Sequence, residues 1–510
     1  MPCVSLRCAL GGKQRVLTPA LISVKILSLD PSANPTPLAL QAFLAQCQAA
    51  ASRDGQPRIA SISLAVDALD PLAVLESIFE PSEPHFYAER ADIDSVMAGA
   101  ETAASFETSG PDRFRDVQRW IDDQLQRTIA VGAVDAPFGG PHFFTSFAFA
   151  DEVEPGEPFA AARVFVPRWQ VARAGNKTTA VANLTVTPNA DVAALTERVW
   201  RAHAKFNNFN YGENSAEGPA AGGVPSPRFG FERTETPALA WTASEAGDYR
   251  AVVTRALALI AAGEFHKIVL ARARDLSASQ PLHPLRVLNG LRQRFPDCYA
   301  FSLANGRGQS FIGASPERLV RVSKGVLETE ALAGSIRRGL GASEDAALAV
   351  ALLHAEKDLR EHRLVVDAIA SRLKQLGLTP EFSATPGLRR LANVQHLRTP
   401  IRAALPENVR LLDALAALHP TPAVGGSPQG AALARIRELE GFPRGLYAGA
   451  HGWINARGGG EFFVGLRSAL ISGASARVYA GAGIVAGSTP EKEFAETELK
   501  FKAMLDALLT

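Results

Sequence analysis

At 510 residues the chain is too long for one simple core, so two domains or one large two-lobed domain are expected. Its composition, 47% hydrophobic and 21% charged, is ordinary for a soluble globular protein, and a formal net charge of +1 gives no electrostatic reason to bind nucleic acid or an anionic membrane. No apolar run reaches the roughly 20 residues of a membrane span.

The opening "MPCVSLRCALGGKQRV" lacks a basic start followed by an apolar block, which argues against a secretion signal. Cys3, Cys8, Cys47 and Cys298 make no CxxC pair and no zinc spacing, as expected of free thiols in a reducing, cytoplasmic compartment. A helix is predicted over "TPLALQAFLAQCQAAAS". Strand-like runs follow at "RIASISLAV", "PHFYAER", "HFFTSFAFA", "ARVFVPRWQVAR" and "TTAVANLTV", all β-branched or aromatic and bounded by Gly, Pro and Asp. No cluster of catalytic residue types falls among them, so this part reads as a structural sheet that supports the rest. Residues 207–247 are rich in Gly, Pro, Ser and Asn without a period and read as a linker or long surface loop. The division expected is an N-terminal lobe over 1–240 and a catalytic region over 241–510.

The second region alternates helices and strands. A helix is predicted from about Asp248 to Ala262, then a strand at "FHKIVLARA", whose period of two puts Phe265, Lys267, Val269 and Ala271 on one face. A helix near 284–294, a strand pair over 299–304 and 309–314, and a strand at "GVLETEALAG" follow. A long helix is expected after Ser343 as N-cap, with Leu359, His362, Val366 and Ile369 on its core stripe and Asp358 and Glu361 on the stripe beside it. The chain closes with the strand "ARVYAGAGIVAG" and a helix from Pro490, where Ser488 and Glu491 have capping-box spacing.

Two charges stand in apolar, strand-like runs: Lys267 in "GEFHKIVLAR" and Glu317 in "FIGASPERLV". Charge there is costly unless it is paired or used, and the two could serve as a base and an acid. The last helix puts Glu493, Glu496 and Lys500 on one face. With Glu361 on another helix and no His or Cys nearby in sequence, these carboxylates suit a hard cation such as Mg2+. Gly481, Gly483 and Gly487 follow GxGxxxG rather than GxGxxG, and too little chain remains to complete a dinucleotide site. Their use is rather close approach of the backbone to an anionic ligand. Arg467, a cation in the apolar "EFFVGLRSALI", could bind a carboxylate in bidentate fashion or pair with a buried acid. Tyr447 in "GLYAGAHGWI" could donate to the same ligand or simply pack. His396 in "NVQHL" reads equally as a site neighbour and as a packed histidine.

Together "HKIVLAR", "GASPERL", "TEALAGS", "LREHRLVVDAI", "NVQHL", "LHPTPAVGG", "GLYAGAHGW", "FVGLRSALI" and "YAGAGIVAGSTPEKEFAETELK" resemble the chorismate-utilising enzymes over about residues 245–510. That family includes isochorismate, salicylate, anthranilate and aminodeoxychorismate synthases. "HFYAER" and "VFVPRWQVAR" are similar, more weakly, to its isochorismate synthase group. The resemblance implies a two-lobed α+β fold of large, mostly antiparallel sheets packed together with helices outside, as in anthranilate synthase component I. It implies Mg2+ at Glu361 and Glu496, with Glu493 close by. It implies substrate contacts from Gly334, Ser335, Tyr447, Arg467, Gly481, Ala482, Gly483 and Lys500. Ser335 departs from the commoner Thr, keeping the hydroxyl.

Two positions sort the family by reaction. Lys267 stands where ammonia-using members carry Gln, and Ala333 where aminodeoxychorismate synthases carry a nucleophilic Lys. Both favour water as the nucleophile: Lys267 as general base, Glu317 as general acid, chorismate to isochorismate. A salicylate synthase, which then eliminates pyruvate, and a chorismate-binding protein without turnover are the alternatives. Chorismate is the expected partner, with no nucleic acid, no membrane and no glutaminase subunit. A monomer or homodimer is expected, serving menaquinone or, alternatively, siderophore biosynthesis.

Overall fold

The computed structural model describes residues 25–26, 36–209, 241–392 and 394–508. Cys3, Cys8 and most of the predicted linker lie outside the described residues. Thr36 caps the first helix, Pro37–Asp54, by accepting from the Ala39 N–H, and Gly55 ends it in the left-handed conformation. The five N-terminal strand runs form where expected, at Arg58–Val66, Pro84–Arg90, His142–Phe147, Ala162–Ala174 and Lys177–Val186.

The fold is α+β, built from a large, mostly antiparallel sheet system with helices outside. Among the described residues only Thr128–Gly132 pairs in parallel, with Arg58–Val66 and Lys25–Ile26. Hydrogen bonding crosses between the two halves of the chain. Tyr299–Asn305 pairs with Pro84–Arg90, and Ala450–Asn455 pairs with His142–Phe147. One core runs through both, joining Phe86, Phe144 and Phe147 to Phe301, Phe462 and Ile484. No helix among the described residues is long and apolar enough to cross a membrane. Cys47 and Cys298 are buried and not disulfide-bonded.

The strand Lys267–Ala278 is central to the second half. It pairs along its length with Ser475–Val485, setting Lys267 opposite Val485, Val269 opposite Gly483 and Ala271 opposite Gly481. The buried Glu440 carboxylate accepts from the Ala271 N–H. Arg444 in turn donates to Glu440, to Val269 O and to Val424 O. This paired acid and base fix the strand where the site is built.

Five local expectations change. Trp241–Glu245, placed in the linker, is a strand pairing with Arg274–Ala278. Glu317 is not in a strand: Pro316 and Glu317 break the run between Gln309–Ser315 and Arg318–Ser323, because proline cannot donate to the ladder. The long helix is two, Ala342–His354 and Glu356–Gln375, separated by an extended Ala355. Its first turn is capped from inside, with Gly341 as N-cap rather than Ser343, while Asp345 and Glu344 accept from the Gly339 and Leu340 N–H groups. Ser488 accepts from the Val485 N–H and so closes the preceding turn, whereas the terminal helix begins with the Glu493 N–H donating to Thr489 O.

Candidate active site

A cavity of about 950 Å³, mouth included, opens where the Lys267 and Ser475–Val485 strands meet the helices Glu356–Gln375 and Pro490–Leu508. Glu317, Gly334, Ser335, Glu361, Tyr447, Arg467, Gly481, Gly483, Glu496 and Lys500 all line it. Three expected residues do not. Lys267 is fully buried behind the wall and reaches it through Glu361, its Nζ 2.8 Å from Oε1. Ala482 faces the other side of its strand, as the period of two requires. Glu493 is covered by Lys357, whose Nζ donates to Oε1 at 3.0 Å.

Gly481 and Gly483 sit within a strand, not a loop. A Cβ at 483 would stand 2.7 Å from Glu361 Oε1, and one at 481 would stand 2.8 Å from the Tyr447 hydroxyl. The glycines therefore make room for two side chains that reach into the cavity. The Gly481 carbonyl accepts from Lys500 Nζ at 2.8 Å, and Lys500 also donates to Glu496 Oε1 at 2.7 Å.

On the far wall Arg467 is buried with φ +47, an uncommon conformation for a side-chain-bearing residue. Among the described residues its Nη1 has no hydrogen-bond partner, and its Nη2 donates to His396 Nε2 at 3.3 Å. The His396 Nδ1–H then faces Ser335 Oγ at 2.7 Å. Burial, then Arg467, hold His396 well below its usual pKa, so it is neutral and acts as a rigid link. A buried guanidinium nitrogen without a partner among the described residues is poised for an anionic ligand.

The electrostatics separate an acid from a set of carboxylates. Burial, then Glu330, push Glu317 up to about 8, with Lys267 and Lys500 opposing. Glu317 is therefore protonated at neutral pH and can donate. Glu361 is also buried, yet Lys267 holds it below the usual carboxylate range. Burial, then Glu361, raise Asp358, and burial, then Glu496, raise Glu493. The donors are all oxygen and repel one another, which fits a hard divalent cation. Among the described residues no three His, Cys, Asp or Glu side chains converge into a metal cage.

Sequence reasoning missed Lys357, Asp358 as a wall residue, Arg444 and Tyr479. The Tyr479 ring stacks on Tyr447 at 5.1 Å between centroids and helps hold its hydroxyl in place. Lys357 and Asp358 carried a signal, since they precede Glu361 by about one turn. Arg444 pairs with Glu440 four residues earlier, but its contact with Val269 O joins parts of the chain 175 residues apart and left no local signal.

Residues 42–509 match the family described as chorismate binding enzyme. The chain is 36% identical over 458 residues to the salicylate biosynthesis isochorismate synthase of Pseudomonas aeruginosa, covering 89% of this chain and 90% of that one. It is 31% identical over 467 residues to the isochorismate synthase MenF of Bacillus subtilis, covering 88% and 93%. The solved structure of MenF, the menaquinone-specific isochorismate synthase from Escherichia coli, matches with a TM-score of 0.71 at 28% identity, covering 93% of this chain and all of that one.

Proposed function

The chain belongs to the chorismate binding enzyme family, and within it we propose that the protein is an isochorismate synthase, an isomerase that converts chorismate to isochorismate. The observation that carries this reading is Glu317, a buried carboxyl pushed up to about 8 on the wall of a cavity that also holds Arg467 and Lys500. An acid protonated at neutral pH is what the departure of a ring hydroxyl needs. The relatives from Pseudomonas aeruginosa and Bacillus subtilis carry the same activity in their names.

Arg467, through its free Nη1, and the Tyr447 hydroxyl bind the enolpyruvyl carboxylate at one end of the ring. Lys267, which meets the cavity through Glu361, takes up by way of that carboxylate the proton of the water that adds at ring carbon 2. Glu317 donates a proton to the hydroxyl that leaves carbon 4 as water. One water enters and one departs, so the two groups exchange a single proton and must be reset before the next turnover. Glu361 and Glu496 would hold Mg2+, which would supply positive charge for the ring carboxylate. Ala333 lines the cavity beside Gly334, and its methyl side chain offers no amine to attack the ring in place of water.

Residues 1–240 serve as structural support, their strands pairing with those of the catalytic half. Under this reading the product feeds menaquinone biosynthesis, the pathway named in the description of the Escherichia coli relative, and the protein works in the cytoplasm. The test is turnover of chorismate with Mg2+ by the wild type and by Lys267→Gln and Glu317→Gln, with near-normal rates in both variants ruling out the assignment.

A further inference from the structure

The strand Val326–Arg337 and its neighbour Val394–Ala404 slip by one residue within the cavity wall. Leu332 opposes Arg398, but Ser335 opposes His396. The extra residue is a β-bulge that takes Ala333 and Gly334 out of the ladder. Gly334 has φ +80, and a Cβ there would lie 3.1 Å from Asp358 Cβ. A bulge leaves backbone groups in want of partners, and here they are buried. Two side chains of the helix Glu356–Gln375 meet them. The His362 Nδ1–H donates to Ala333 O at 3.1 Å, while its Nε2 accepts from the Thr399 hydroxyl at 2.8 Å. The Asp358 carboxylate faces the Ser335 N–H. These two residues are four apart on one helix face, with Glu361 between them.

We propose that Asp358 and His362 are positioning residues that clamp this bulge as the wall against which the substrate ring lies, and that they couple its placement to Glu361 on the same helix. The proposal rests on the reading of the cavity as the chorismate site. The clamp reaches further than the bulge: Ser335 Oγ meets His396, and His396 meets Arg467. Helix, bulge and anion-binding arginine thus form one connected set of hydrogen bonds. A shift of the helix at His362 would be felt at the group that orients the substrate.

The test compares His362→Leu, which removes both hydrogen bonds, with His362→Asn, whose amide N–H can replace the Nδ1 donor. His362→Leu is expected to lose about 10²-fold in kcat with a smaller change in KM. His362→Asn is expected to recover most of that loss. Equal loss in the two variants at unchanged melting temperature, or wild-type kcat in His362→Leu, would overturn the proposal. If His362→Leu does not fold, Asp358→Ala replaces it, since Asp358 is only half-buried. Hydrogen exchange of the 331–337 segment should then quicken, and unchanged exchange would contradict the clamp. The exchange measurement needs no turnover, so it decides the clamp even if the wild-type protein leaves chorismate unchanged.

Discussion

Lys267 Nζ stands 2.8 Å from Glu361 Oε1 across 94 residues of sequence, and the space for that contact exists because position 483 is glycine. A Cβ there would come within 2.7 Å of Glu361 Oε1 and 3.1 Å of Lys267 Cε. Gly483→Ala should therefore displace the pair with little effect on the strand. Its kcat should fall by about 10²-fold or more while KM changes little, as steady-state kinetics would show.

Gly481→Ala crowds a different group, the Tyr447 hydroxyl at 2.8 Å. The expected effect is on binding, a raised KM for chorismate with a smaller change in kcat. A Gly481→Ala variant with lowered kcat and wild-type KM would place Tyr447 in the chemistry instead of in substrate orientation.

Glu317 links activity and stability to pH. Its donor role requires the protonated form, so kcat should decline as pH rises through about 8. The stability effect follows from proton binding. Between the ordinary value of 4.5 and about 8 the folded protein holds a proton on Glu317 that the unfolded chain has lost. Stability from this group therefore falls as pH rises across that window. Glu317→Gln, which stays neutral, should gain thermal stability relative to wild type at pH 9 but not at pH 5, read as the difference in Tm. Its turnover should fall 10²–10⁴-fold, the usual cost of removing a general acid.

Both halves of the chemistry were legible in the sequence to different depths. Lys267, Glu317 and Arg467 stood out because a charge in an apolar run needs a reason. Glu361 and Glu496 stood out by helical spacing and by resemblance. The sequence could not show that Lys267 pairs with Glu361, or that Lys357 covers Glu493, because those contacts join elements far apart in the chain. Gly481 and Gly483 were placed in the closing strand, as found, but their use was read as close approach of the backbone to an anion, whereas they yield space to the Tyr447 and Glu361 side chains. The bulge at Ala333–Gly334 was invisible for a related reason: it depends on the register of a partner strand, and a single strand's pattern carries no register. The break at Ala355 was also hidden, since nothing in an alanine interrupts a helical period.

Among Asp358, Glu361, Glu493 and Glu496, neighbouring carboxylates raise Asp358 and Glu493, although Lys267, Lys357 and Lys500 each pair with one of the set. Mg2+ should raise the Tm of the wild-type protein without substrate. Glu361→Gln or Glu496→Gln should abolish that rise, and a chelator should abolish turnover in a way that added Mg2+ restores. Glu493→Gln should weaken the rise less, because Lys357 already holds that carboxylate.

The central claim is that the lysine and acid direct water to chorismate and that the reaction stops at isochorismate. The most direct measurement is to incubate the purified protein with chorismate and Mg2+ and identify the product by chromatography and mass. Isochorismate, in equilibrium with chorismate and without pyruvate, is the expected result. Salicylate with stoichiometric pyruvate, or chorismate left unchanged, would contradict it.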